Sequence, residues 1–457
     1  MRKMLPVLLA AVFASAAAQA ETPSLSLGLD QAVQEAQTHT PSLQAKQWEL
    51  KALGAKSWSY AGLLWPRLSL EGTWRYVTEV PNITLPMPGA RSIPMGDNVN
   101  YSVGPQLSWT IWDSGATYYA WQALSAGYRA KEQEVEGQQR EITLKTRLAY
   151  FQVQLALEQI RLLADSLQLA QAQYRDIQAQ ARAGASSRID LLSSHLEVLA
   201  RQRQIQQART QLTGAVRDLL SLTGGGESLD LAFPMDPETA KQIASDIETP
   251  TLLLMFDPLE QSLARLDQPG KAPAAGDHPR AKVFTELAES ARQAAAGYNA
   301  GHWPRVQVYA KASWDYPNGP VLETVQQNTV GVNASWPLWE GQRVVRQVEE
   351  QERTAKADEA MAQQAQTDLD VGWKKAQDTL AQLRAELKLV QQSSQETETL
   401  ARLVYQAYHI GRANYLEVQA ANLRALEAKT QFALTRTQMA IQLAVLDSLS
   451  ENEETKP

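Results

Sequence analysis

The chain of 457 residues contains no cysteine. That excludes a disulfide framework, a thiolate metal site and a lipid carried on an N-terminal cysteine. Past residue 20 no stretch approaches the roughly 18 consecutive apolar residues that a transmembrane α-helix needs. If the mature chain enters a membrane, it must do so as a β-barrel. The net charge is −7 and no basic patch stands out, which argues against nucleic acid as a partner. The five histidines, His39, His195, His278, His302 and His409, are scattered without ligand spacing. No Gly-x-Ser-x-Gly elbow and no Walker-type loop occur, and Gly224-Gly225-Gly226 reads as a linker. The sequence thus offers no catalytic residue, cofactor or metal site, and the chain is not expected to be an enzyme.

What is present begins with a leader. Arg2 and Lys3 precede an apolar run from Met4 to Ala18, and Ala18-Gln19-Ala20 has the form of a cleavage site. A secretory signal peptide is predicted over 1–20, with Glu21 opening the mature chain. Loss of Arg2 and Lys3 takes the net charge to −9.

The mature sequence repeats itself. At an offset of 238, Tyr60 falls on Tyr298 and Trp65-Pro66-Arg67-Leu68 on Trp303-Pro304-Arg305-Val306. At an offset of 227, Ser108-Trp109-Thr110-Ile111-Trp112-Asp113 falls on Ser335-Trp336-Pro337-Leu338-Trp339-Glu340, Gly184 on Gly411, Asp190 on Glu417 and Leu219 on Leu446. A tandem duplication follows, with a first repeat over 21–223 and a second over 277–452. The Pro- and Gly-punctuated segment 224–276 connects them, and 453–457 forms a C-terminal tail.

Each half holds two segments of period two. Leu68, Leu70, Gly72, Trp74 and Tyr76 alternate with Arg67, Ser69, Glu71, Thr73 and Arg75; Tyr101, Val103, Pro105, Leu107, Trp109 and Ile111 alternate with Ser102, Gly104, Gln106, Ser108 and Thr110. In the second half Val306, Val308, Ala310, Ala312 and Trp314 oppose Gln307, Lys311, Ser313 and Asp315, while Val330, Val332, Ala334, Trp336 and Leu338 oppose Thr329, Gly331, Asn333 and Ser335. Such segments suit transmembrane β-strands with one face to lipid and one to a watery lumen. A soluble sheet with one wet face has the same alternation. Eight of the 12 tryptophans decide for the membrane, because they lie in or beside these strands. Trp65, Trp112, Trp303 and Trp339 stand at the ends nearest the helices, where an interfacial girdle belongs. Four strands cannot close a barrel, and lipid tolerates no open edge, so several copies must pool their strands. Three copies give twelve. The loops Thr78–Asn98 and Tyr316–Gln327, rich in Pro and Gly, suit an external surface.

The remainder reads as helix. From about Thr117 to Arg182 there is no proline, and Leu148, Leu155, Leu162 and Leu169 recur every seven residues, with Leu144 and Phe151 at companion positions. A helix of that length spans roughly 100 Å. Its counterpart runs from about Val344 to His409, and return helices from Ser187 to Leu222 and from Asn414 to Ser450. Gly184 and Gly411 suit the left-handed residue that stops a helix, and Ser187…Asp190 and Asn414…Glu417 read as capping boxes. Each half therefore makes a helical hairpin with a tight tip. The fold class is mainly α with a small β part.

This layout resembles the TolC family of outer-membrane efflux proteins. The most telling residues are the paired tips, Arg182-Ala183-Gly184-Ala185-Ser186 through Asp190 and Tyr408-His409-Ile410-Gly411-Arg412 through Glu417, with the duplicated Trp-Pro-Arg step next. The resemblance covers nearly the whole mature chain. It implies a homotrimer in the outer membrane, with a 12-stranded barrel and a helical tunnel reaching into the periplasm. It also implies that the tips, here Gly184, Ala185, Ser186, Gly411, Arg412 and Ala413, meet a periplasmic adaptor serving an inner-membrane pump. Acidic rings narrow the entrance in that family; Glu417 matches one position, and Asp190 is its counterpart in the first half. Both acids also have a plain reason to be there, as the third residue of a capping box. Where a second acid often follows, this chain has Ala420, so one ring is expected. The competing readings are a soluble periplasmic coiled-coil adaptor, which needs no amphipathic strands, and a passive porin, which needs no heptads.

Overall fold

A computed structural model describes residues 24–84, 92–224, 253–257, 259–266, 272 and 276–450. The leader, the tail and most of 224–276 lie outside these residues, as do Pro86, Pro88 and Gly89 of the first loop. In chain order the elements are β1 (Ser24–Leu27), α1 (Leu29–His39), α2 (Pro41–Ala61), β2 (Arg67–Tyr76), β3 (Asn82–Thr84), β4 (Ser92–Pro94), β5 (Val99–Trp112), α3 (Ala116–Arg182), α4 (Arg188–Thr223), β6 (Leu253–Phe256), α5 (Leu259–Leu266), α6 (Pro279–Asn299), β7 (Arg305–Tyr316), β8 (Val325–Ser335), α7 (Arg343–His409) and α8 (Tyr415–Leu449). Among the described residues no helix is long and apolar enough to cross a membrane.

The chain divides into two compact units, and α3 and α7 run through both. One unit comprises Met1–Ala36, Lys145–Gln268 and Gln382–Leu443. In it β1 pairs parallel with β6, Ser24 opposite Leu253 through Leu27 opposite Phe256. The buried Tyr150 of α3 fastens this pair: its hydroxyl donates to the Leu27 carbonyl at 2.9 Å and accepts from the Asp257 amide at 2.8 Å. Asp257 in turn accepts from the Leu29 amide at 3.1 Å and so caps α1.

The leucine heptad of α3 is not its buried stripe. Leu148, Leu155 and Leu162 are half-buried and Leu169 is exposed, whereas Ile142, Thr146, Tyr150, Val153 and Ala156, then Leu167, Ala170, Gln173 and Ile177, are buried. Both lines have three-and-four spacing, so they are neighbouring stripes of one helix. The sequence marks the flank more loudly, because the buried line mixes in Thr146, Gln154 and Gln173.

The other unit comprises Gln37–Leu144, Pro269–Ala381 and Ala444–Pro457 and carries the sheet. Its four strands lie in the order β2-β5-β7-β8, every neighbour antiparallel. Two helix-to-strand steps enter it identically. α2 and α6 each begin with a proline at the first helical position and end in a short 3₁₀ turn, Gly62–Leu64 and Ala300–His302. The Trp109 indole donates to the Leu64 carbonyl and the Trp336 indole to the His302 carbonyl, both at 3.0 Å.

Strand limits depart from the alternation in two places. β8 stops at Ser335, short of Trp336 and Leu338, because Pro337 has no N–H for the ladder and restricts the residue before it. The matching Thr110 can pair, and β5 continues to Trp112. At its other end β8 begins earlier, at Val325, in a stretch where Gln326 and Asn328 occupy the side of Trp314 and Ala312. The loop Thr78–Asn98 also holds a small antiparallel pair, β3 with β4.

Helix packing beside the sheet is polar. Lys131 bonds Glu49 at 2.6 Å and Glu134 at 2.9 Å, and Lys46 bonds Glu134 at 2.5 Å, joining α2 to α3. The end of α8 is held by its carbonyls: Arg140 donates to Ser450 at 3.1 Å, and the buried His278 lies 3.4 Å from the Ser448 oxygen through Nε2. The Nδ1 of His278 accepts from the Arg280 amide, capping α6. Burial holds the His278 imidazole down at about 4, and the Arg140, Arg280 and Lys282 charges add to the effect.

Candidate functional site

Two regions carry the candidate residues, one in each unit. The first is the pair of helical tips. Both long helices end in the same six-residue device. Gly184 and Gly411 sit in the left-handed region at φ 74° and 73°. The amide after each glycine reaches back five residues, Ala185 to the Gln180 carbonyl and Arg412 to the Ala407 carbonyl, both at 2.8 Å. The glycine amides bond Ala181 at 3.1 Å and Tyr408 at 2.9 Å. This is a Schellman stop, and it needs glycine because a Cβ there costs about 1 kcal/mol.

The return helices are capped as the boxes suggest, with one difference. Ser187 Oγ accepts from the Asp190 amide at 3.0 Å, and Asn414 Oδ1 accepts from the Glu417 amide at 2.9 Å. Glu417 does not reach back to the Asn414 backbone; its Oε1 accepts from the Asn414 side-chain amide at 2.9 Å. Glu417 is exposed and Asp190 half-buried. Gly184, Ala185, Gly411 and Arg412 are exposed, while Ser186 and Ala413 are partly covered.

Between the two tips lies a small core that the sequence did not announce. Ile177 of α3 and Tyr415 and Val418 of α8 are buried together, with Leu191, Val404, Tyr405 and Tyr408 packed on them. Tyr405 of α7 donates its hydroxyl to Asp176 Oδ2 of α3 at 2.7 Å, and His409 Nε2 lies 3.6 Å from the same oxygen. Ser186 and Tyr408 share a hydroxyl contact at 3.3 Å, and Gln419 donates to the Ser193 carbonyl at 3.1 Å. Burial pushes the phenols of Tyr405 and Tyr415 up, aided by Asp176 for the first and by Glu197 and Asp190 for the second. Both hydroxyls therefore stay protonated at any working pH, and that of Tyr405 donates to Asp176. The Tyr405–Asp176 partners lie 229 residues apart and belong to no motif, so no sequence signal marks them.

On α4, Ile189, Leu192, Leu196 and Leu199 follow each other at spacings of three, four and three, and all are exposed. That is an uncovered coiled-coil seam.

The second region is the sheet. Its registers place Leu70 opposite Pro105, Trp74 opposite Tyr101, Trp109 opposite Val308 and Val308 opposite Val332, so one face is apolar apart from Gln326 and Asn328 of β8. It is uncovered: Leu70 is 76% and Val330 78% exposed. Trp65, Trp112, Trp303 and Trp339 are exposed as well. The opposite face is polar and hydrogen-bonded across strands. Lys311 donates to Ser102 Oγ at 3.1 Å, Ser102 donates to Asp315 at 2.6 Å, and Arg305 donates to Thr110 Oγ1 at 3.0 Å. The alternation left Tyr309 unassigned; the register places it on this polar face, opposite Gly331. A Cβ on Gly331 would stand 2.4 Å from the Tyr309 ring. At Gly104 of β5 a Cβ would stand 2.0 Å from the Ala312 carbonyl oxygen of β7, and the β5–β7 register shifts between Thr110 and Trp112.

Among the described residues β2 pairs only with β5, and β8 only with β7, so both outer edges of the sheet lack a partner there. Among the described residues no group of His, Asp and Glu could hold a metal ion.

Comparison with known proteins agrees with this geometry. The family profile described as "outer membrane efflux protein" matches residues 32–225 and 285–450. No curated protein matches the sequence. Several solved structures share the fold at low identity. The outer-membrane protein VceC of Vibrio cholerae is 16% identical, with 93% of this chain and 97% of that one covered and a TM-score of 0.71. The Campylobacter jejuni CmeC outer-membrane channel is 15% identical, covering 92% and 85%, at 0.69. The open state of the Neisseria gonorrhoeae MtrE outer-membrane channel is 15% identical, covering 92% and 88%, at 0.69. The matched segments take in both helical tips, all four strands and both long helices, and on that ground the chain belongs to the outer membrane efflux protein family.

Proposed function

We propose that three copies of this chain form a passive exit duct in the outer membrane, with a 12-stranded barrel above a periplasmic helical tunnel. A periplasmic adaptor opens the duct and an inner-membrane pump feeds it. The observation that carries this reading is the sheet: four strands, one apolar face uncovered and, among the described residues, two edges without partners. In lipid every backbone N–H and C=O must be paired, so the edges must be filled by other copies. Strand direction permits it. β2 and β8 run oppositely, so β8 of one copy against β2 of the next continues the antiparallel alternation. The bare leucine seam of α4 supports the same assembly, because a second helix must cover it.

At the tips, Glu417 lines the narrowest passage, three carboxylates facing one another, with Asp190 beside the buried Tyr415. Gly184, Ala185, Ser186, Gly411, Arg412 and Ala413 present the surface that the adaptor meets. Trp65, Trp112, Trp303 and Trp339 mark the periplasmic membrane interface. The repeats 21–223 and 277–452 each supply one hairpin and two strands, and 224–276 joins them. The duct performs no chemistry; energy comes from the pump. The family's own work, efflux, fits this reading, while a soluble adaptor leaves the uncovered sheet without a purpose.

Purification decides it. The mature chain should remain in membranes through carbonate washing, require detergent, and run as a trimer by light scattering. A detergent-free monomer would end the proposal.

A further inference from the structure

The polar face of the sheet bears two unbalanced charges. It holds four cations, Arg67, Arg75, Arg305 and Lys311, and two carboxylates, Glu71 and Asp315. Lys311 and Asp315 are linked through Ser102. Glu71 stands midway on β2, four residues from Arg75 and four from Arg67, and among the described residues it forms an ion pair with neither. Arg67 and Arg305 stand at the helix end of the sheet. Each opens its strand directly after a Trp-Pro step, each is exposed, and among the described residues no carboxylate lies within ion-pair distance of either. Arg67 is opposite Ser108, whose other neighbour is Tyr309; Arg305 is opposite Ser335 and donates to Thr110. All these partners are neutral. Asp113, three residues beyond Thr110, is committed to capping α3: it accepts from the amides of Gly115 and Thr117 at 3.1 and 2.9 Å and from the Thr117 hydroxyl at 2.5 Å. Glu71 is four strand residues from Arg67, about 13 Å along the strand.

We infer that Arg67 and Arg305 form a guanidinium belt around the lumen at the foot of the barrel, a site that attracts and binds multivalent anions. The inference rests on the trimeric duct proposed above, in which the belt holds six guanidiniums. Unpaired like charges around a pore focus the field and raise the local concentration of counter-ions. Guanidinium is also the side chain best shaped to grip phosphate, sulfate or carboxylate through two parallel N–H bonds. The ligand class is therefore oxyanions and solutes bearing them. A lipid phosphate has the same chemistry and lies close by in the inner leaflet. The register favours the lumen, since Arg67 and Arg305 share the face of Ser108, Thr110 and Gln307 and not that of Leu68 and Val306.

The test uses the purified full-length trimer in planar bilayers under a salt gradient. Wild type is compared with Arg67→Gln/Arg305→Gln, with Arg67→Lys/Arg305→Lys as a charge-preserving control and Thr110→Val to remove only the Arg305 bond. Comparing variants with identical tips cancels the selectivity of the entrance. The anion-to-cation permeability ratio should fall at least about twofold in the Gln pair at low salt and survive in the Lys pair and Thr110→Val. Block by added inositol hexakisphosphate should weaken about tenfold in the Gln pair. Should the Gln pair conduct with unchanged ratio and unchanged block, the belt is wrong while the duct stands. A difference seen only in bilayers containing anionic lipid would assign the arginines to headgroups and also overturn it. Absence of any conductance from wild-type trimers would count against the duct itself.

Discussion

Replacing Tyr405 by phenylalanine removes one hydroxyl and little else. The ring still packs on Ile177, Tyr415 and Val418 and still meets His409 edge-on at 4.8 Å. What disappears is the 2.7 Å bond to Asp176, a tie between α3 and α7 close to both tips. A hydrogen bond to a carboxylate contributes about 1.5–3 kcal/mol when shielded, and less when water competes. Asp176 is exposed and Tyr405 half-buried, so about 1 kcal/mol per copy is reasonable. If the trimer opens in one step, three copies lose about 3 kcal/mol together, which shifts the closed-to-open ratio roughly 100-fold. Single-channel recording of purified trimers reads this directly as an increase in open-time fraction or mean conductance. Asp176→Ala, which also removes the His409 contact, should open at least as far as Tyr405→Phe, and the double variant should add nothing to Asp176→Ala. Trimers of Tyr405→Phe that gate like wild type would refute the reasoning.

The same structure makes further predictions. Gly104→Ala should prevent trimer assembly, seen as loss of the heat-sensitive oligomer on gels, because its Cβ collides with backbone; Gly72→Ala, whose nearest neighbour is a Val103 methyl at 3.9 Å, should assemble normally. His278 is held neutral by burial, with its pKa lowered from 6.5 to about 4. The unfolded chain then binds more protons in that window, so this contribution is present above the unfolded value and is lost as pH falls from about 6.5 towards 4. It amounts to at most about 3 kcal/mol per copy, and His278→Asn, which can still cap α6, should show a shallower fall of thermal midpoint by circular dichroism across that range. Glu417→Ala should reduce cation preference in single-channel recording, and an unchanged preference would remove Glu417 from the constriction. Gly184→Ala meets open space, so it should cost only the backbone strain of about 1 kcal/mol, read as a small drop in thermal midpoint.

Much of the helical layout was legible, for local reasons. The long helices were expected at 117–182 and 344–409 and are found at Ala116–Arg182 and Arg343–His409. Proline-free stretches of good helix formers closed by a single glycine leave little room for another outcome. The strands were legible where one face meets an apolar surface, and were lost where that asymmetry fades, at Gln326 and Asn328 of β8. Pro337 is a local cue that alternation alone passes over. The buried stripe of α3 was misplaced because Thr146, Gln154 and Gln173 interrupt its apolar members, whereas the leucines beside it, three half-buried and one exposed, give the more regular period. The β1–β6 pair is four residues long, too short for periodicity, and depends on Tyr150, more than 100 residues from either partner. Long-range polar ties such as Tyr405–Asp176 follow from the packing and leave no mark in a single sequence.

The two bare edges of the sheet have a consequence for copy number. They are different surfaces, so each copy joins the next head to tail, and nothing in one junction says when to stop. A ring results only if every addition rotates the chain by the right angle; otherwise the contact would propagate as an open helix. That angle depends on how the strands bend, and the β5–β7 register shift between Thr110 and Trp112 is an irregularity of the kind that bends and twists a strand. Stoichiometry is thus encoded in bending, and a change at this point would alter the count of subunits before it altered their affinity.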